Sequence, residues 1–208
     1  MNLLVLLLYR LFALISFIPH KISKYNTGIN EKKANDIQSD YIENQYSYSY
    51  LHIGKKDISY CGCGVIATFN ALIALNRKPS GQDLLNIIKS YEKRGLVFGG
   101  KLGISPNYVK LYFKNLGCSV KSIFTSNSIK LDEFGKMYDT FICTMYNSKK
   151  NISKGLHYIC ITKNKCGEFI SHNPPDKAIS LSALITKASA DSGKSLYIIG
   201  VSNEKNNN

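Results

Sequence analysis

The chain of 208 residues has no tryptophan, three arginines (Arg10, Arg77 and Arg94), five prolines and one long apolar stretch, at its N-terminal end. Few prolines and fifteen glycines without a period exclude a collagen-like chain. Six cysteines over this length are too dilute for a disulfide-stapled miniprotein. With a single apolar segment, a multi-span membrane protein is excluded. The shortage of arginine, the usual bidentate reader of bases and phosphates, weighs against a nucleic-acid partner despite a formal net charge of +13. Lysines are scattered along the chain, with no arginine-rich run and no RNA-binding or zinc-finger signature. No nucleic-acid partner is expected, and the basic surface reads as a device for solubility or for proximity to anionic lipid.

What is present is a 44% hydrophobic composition, enough for one packed domain with appendages. Residues 3–18 are apolar apart from Tyr9, Arg10 and Ser16. Arg10 in their middle makes a spanning helix expensive, by roughly 2.5–3.5 kcal/mol on insertion scales. No Lys or Arg precedes Leu3, and Ser16-Phe17-Ile18-Pro19 lacks a small-residue cleavage pattern. Three readings stay open for residues 1–20: a membrane anchor or uncleaved signal-like helix, a helix lying in the membrane interface, and a helix packed on the domain. Residues 21–50, rich in Lys, Asn, Ser and Tyr, read as a polar linker; residues 51–203 read as the domain and 204–208 as a disordered tail. Membrane association through residues 1–20 and a membrane-associated or exported location follow as expectations.

Within the domain, apolar and small residues recur at helical spacing over 63–75, on most of the circumference, which predicts a buried central helix. A second helix is expected from Ser80, as N-cap, to Tyr91. A third is expected from Ser105-Pro106 to Leu116, with Gly117 as stop signal. Short β-rich runs follow at 119–124, 140–146, 157–162, 168–171 and 195–201, with a further helix at 181–190. Asn164-Lys165-Cys166-Gly167 predicts a hairpin between the third and fourth runs. Helices first and strands second argue an α+β fold with a helical lobe and an antiparallel-sheet lobe.

The chemistry-bearing residues stand at the borders of these elements. Cys61-Gly62-Cys63-Gly64 opens the central helix, where unpaired N–H groups favour a thiolate and glycines let a substrate approach. His157 begins a strand. Asn173, followed by Pro174, lies one turn and one strand later, across a hairpin end, where it could accept the ring N–H and fix the tautomer. Each feature alone has a blander reading: an inert buried thiol, a strand histidine bonded to backbone, a turn. Cys61 and Cys63 with His52, His157 or His172 match structural-zinc spacing poorly, so no metal is expected. Cys118, Cys143, Cys160 and Cys166 read as core thiols.

Three segments together, Cys63-Gly64-Val65-Ile66-Ala67-Thr68-Phe69-Asn70-Ala71-Leu72, Leu156-His157-Tyr158-Ile159 and His172-Asn173-Pro174, resemble the papain-like cysteine peptidases. They are most similar to the bacteriocin-leader-processing (double-glycine) branch. Gly103-Ile104-Ser105-Pro106 and Leu116-Gly117-Cys118-Ser119-Val120 resemble that branch's middle segment, and the likeness spans residues 60–201. It implies a papain-like fold and a cysteine peptidase working through an acyl-enzyme. In it Cys63 is the nucleophile, with Cys61 as the alternative, His157 is base and then acid, and Asn173 orients His157. It implies a peptide or protein substrate and no cofactor. The family places a Gln about half a dozen residues before its Cys as an oxyanion donor. Here Lys55 to Tyr60 holds none, and Gln45 is too distant along the chain to be assigned. An amide-forming acyltransferase on the same fold, or a catalytically silent peptide-binding module, are the alternatives.

Overall fold

A computed structural model describes residues 3–15, 20–147, 155–188 and 197–203. The tail expected at 204–208, the strand residues 195–196, the helix residues 189–190 and residues 1–2 and 16–19 of the apolar segment lie outside them.

The central helix forms where small and apolar residues alternate without a charge. Helix α1 (Leu3–Ile15) and α2 (His20–Glu31) precede a short hairpin of β1 (His52–Ile53) and β2 (Lys56–Asp57), the one-turn helix α3 (Ile58–Cys61), and then α4 (Cys63–Ala74). Ten of the twelve residues of α4 are buried, as expected of a helix apolar all round. Helix α5 (Gly81–Lys93) starts at Ser80, whose side chain and Asp83 form a reciprocal capping box. Helix α6 (Pro106–Asn115) begins with its proline in the first turn.

The sheet lobe follows. Strands β3 (Cys118–Phe124), β4 (Thr140–Tyr146), β5 (Leu156–Lys163), β6 (Phe169–His172), β7 (Asp176–Ala178) and β8 (Tyr197–Asn203) form one sheet in the order β3-β8-β4-β5-β6-β7. Every neighbouring pair is antiparallel. The β5–β6 hairpin closes at residues 164–167, where Gly167 adopts φ +84°. Helix α7 (Ser128–Gly135) and α8 (Leu181–Ala188) complete the chain.

Both faces of the sheet are covered, so its central strands are apolar on both sides. Ile142, Tyr158, Cys160 and Ile199 face the helical layer with α4, α5 and α6. The alternate positions Phe141, Cys143, Ile159 and Ile198 face a second layer with Leu131, Phe134, Leu184 and Ile185 of α7 and α8. The fold is α+β with a helical lobe and an antiparallel-sheet lobe, the expected class.

Two readings change. Residues 21–50, expected as a polar linker, carry most of α2 and two 3₁₀ turns at Ala34–Asp36 and Gln45–Tyr48 that pack onto the domain. Polar side chains do the joining. Glu92 of α5 is buried and accepts from Asn26 Nδ2 (2.5 Å), Gly54 N (2.7 Å) and Ser23 Oγ (2.8 Å), and Asn30 brackets the backbone of His52. Of the four cysteines expected in the core, Cys118, Cys143 and Cys160 are buried and Cys166 is exposed, because the hairpin turn lifts it off the sheet.

Candidate active site

Cys63 is the first residue of α4, directly after Gly62. Its Sγ donates to the Leu156 carbonyl at 3.6 Å. Burial pushes the thiol up to about 11, against the opposing pull of backbone N–H groups of Tyr158, Gly64 and Cys63 itself. These donors lie at the helix N-terminus and on β5, where a negative sulfur would be stabilised.

His157 stands on β5 opposite Met145. Burial lowers its pKa below the ordinary histidine value, and a hydrogen bond from the ring to the Asn173 backbone carbonyl works the other way. Asn173 reaches that position because β5 and β6 pair in the register Cys160 to His172, which leaves Asn173 just beyond the end of β6. Among the described residues, Sγ forms no hydrogen bond with the His157 ring; its backbone partners are the residues on either side of it.

The Asn173 side chain pairs with Gln45. Its carboxamide does not face the imidazole. Oδ1 accepts from Gln45 N at 3.0 Å and Nδ2 donates to Gln45 Oε1 at 2.9 Å, so the main-chain carbonyl is what His157 meets. Gln45, too far along the sequence to be assigned, is brought into the site by this pairing. Its Nε2 donates to Ser59 O at 2.8 Å. Glu43 lies beside it: Oε2 accepts from Asn173 N at 3.2 Å, and Oε1 is 2.6 Å from Nδ1 of His172. The His172 ring stacks on Tyr41 with centroids 3.9 Å apart. Glu43 and Gln45 carried no sequence signal, since both sit in a polar segment whose partners are about 130 residues away.

Cys61 ends α3 and also borders the cleft. Its Sγ faces the carbonyls of Asp57 (3.7 Å) and Ile53 (4.0 Å). Burial first, then Cys63 and Asp57, raise its pKa far above the ordinary thiol range.

Cys61, Cys63, His157, Asn173 and Gln45 line one cleft of about 940 Å³. The segment from Gly100 to Gly103 also lines it, with Gly100 packed beside the Cys61 sulfur. A peptide-sized ligand fits such a volume.

No family model matches the chain, and no curated protein matches it. Among solved structures the chain is similar to the peptidase domain of Streptococcus ComA, a bifunctional ABC transporter involved in a quorum-sensing pathway. Identity is 15%, the match covers 73% of this chain and 97% of that domain, and the TM-score is 0.46.

Proposed function

We propose that the protein is a papain-like cysteine peptidase in which Cys63 attacks a peptide carbonyl. His157 takes the thiol proton and passes it to the leaving amine. Water, activated by the same imidazole, then hydrolyses the thioester. Asn173 holds His157 through its main-chain carbonyl. The observation that carries this reading is that Cys63, at the N-terminus of a buried helix, opens into the same cleft as His157, 94 positions further on by residue number. Cys63 is favoured over Cys61 because backbone N–H groups of Tyr158, Gly64 and Cys63 itself reach its sulfur beside the one Leu156 carbonyl, whereas the Cys61 sulfur faces the carbonyls of Asp57 and Ile53.

The resting pair is neutral: burial holds the thiol protonated and the imidazole unprotonated. Attack therefore requires Sγ to leave the Leu156 carbonyl and turn to the imidazole. That same resting bond favours, as a second reading, a silent module that binds a peptide in the cleft.

Iodoacetamide labelling separates the two, in a Cys166→Ser background that removes the exposed thiol. The Cys63 labelling rate falls as pH drops through the His157 pKa, because a protonated ring cannot accept a proton, and climbs again towards about 11 as the thiol ionises by itself. His157→Ala abolishes the lower limb, slowing neutral-pH labelling by roughly 10²-fold or more, the usual contribution of a positioned base. Profiles that coincide in wild type and His157→Ala establish the silent module instead.

A further inference from the structure

Helix α1 buries one side and leaves the other open. Tyr9 and Ala13 are buried, and the Phe12 ring lies 4.7 Å from that of Phe98, beside the cleft wall. On the opposite side Leu4, Leu7, Leu8, Leu11 and Leu14 recur at helical spacing, each between 37% and 63% exposed. Such an unbroken apolar stripe is unusual on a soluble surface.

The stripe has a cationic border. Next to it opens a groove of about 340 Å³ lined by Arg10 and Leu14 of α1, Arg94, and Lys110, Leu111 and Lys114 of α6. None of these four cations joins a salt bridge among the described residues. Lys110 Nζ donates to Ser122 Oγ at 2.7 Å, and burial, then the neighbouring Lys114, lower its pKa.

We infer that α1 and the adjoining groove seat the protein on an anionic lipid surface, with α1 lying in the plane of the interface. Apolar side chains beside clustered Lys and Arg are the composition such helices use. At thirteen residues α1 is about 20 Å long, short of the roughly 30 Å hydrocarbon core, and no helix among the described residues is long and apolar enough to cross a membrane. A nucleic acid would satisfy the cations and leave the leucines wet. A second copy would cover the leucines and bring two sets of four cations together. Because α1 is fixed to α6 and to Phe98, docking would hold the whole domain, with its cleft, at the surface. The inference is independent of the chemistry in the cleft.

The full chain is tested by flotation with vesicles of phosphatidylcholine alone and of phosphatidylcholine with phosphatidylglycerol. It binds the anionic vesicles and is released by added salt. Leu7→Asp with Leu11→Asp, and separately Arg10→Glu with Lys114→Glu, each lower binding roughly tenfold or more. All four side chains are exposed, so circular dichroism and the thermal midpoint stay unchanged. The chain has no tryptophan, so Leu7→Trp gives a single emission band, which shifts to the blue on anionic vesicles. The inference is overturned by equal flotation with both vesicles, by no flotation, by unaltered binding in both double variants, by an unshifted Trp band, or by a lipid-free dimer that Leu7→Asp dissolves.

Discussion

Every polar group of Asn173 is engaged. Its N–H goes to Glu43, both ends of its carboxamide go to Gln45, and its carbonyl goes to His157. It holds this pose at φ +62°, a left-handed conformation that asparagine tolerates better than most residues. In the proposed reaction the side chain acts at one remove, fixing the backbone that fixes the imidazole. Asn173→Ala and Gln45→Ala are each expected to weaken the His157-dependent limb of Cys63 labelling by roughly tenfold. Asn173→Ala severs both bonds and Gln45→Ala the one to Oε1, so the double variant is no worse than Asn173→Ala alone, a coupling of about 1–2 kcal/mol in a double-mutant cycle. Additive losses would show that Gln45 and Asn173 work separately.

At the scale of elements, those with strong local signals lie where the pattern places them. The capping box of α5, the Pro106 start of α6 and the run 140–146 of β4 are such cases. Elements whose stability is tertiary were not legible. In α2, Asn26 and Asn30 are core residues although both are polar, because they pair with distant backbone and with Glu92. The far layer depends on a small residue. A Cβ on Gly200 of β8 would stand 2.6 Å from the Tyr138 ring and 2.9 Å from that of Phe134, so the end of α7 and Tyr138 press directly on the strand. Gly200→Ala should overpack this layer and cost about 1–3 kcal/mol in urea unfolding. Cys63 labelling in the folded protein stays the same, since the strain lies across the sheet from the cleft.

Across the whole molecule, residues 20–50 belong to the fold. Ile42 exchanges two hydrogen bonds with Asn70, fully buried in α4, at 2.8 and 3.0 Å; Glu43 and Gln45 brace the site, and α2 covers Glu92. A fragment comprising residues 51–203 leaves these buried groups unpaired, at about 1–3 kcal/mol each. It should lose its cooperative urea transition and its His157-dependent labelling. An unchanged midpoint would return residues 21–50 to the status of a linker.

The amino-acid sequence by itself determined the α+β class, the buried central helix with Cys63 at its start, the β5–β6 hairpin and the order in which Cys63, His157 and Asn173 occur. Those follow from periodicity, caps and turns, which are local. Only the tertiary structure decided that a distant Gln45 meets Asn173, that a carbonyl rather than a carboxamide faces His157, that Cys166 is exposed, and which side of α1 is left bare. Each depends on hydrogen bonds or burial between segments far apart in the chain, and a polar side chain carries no mark of the partner that folding will bring to it.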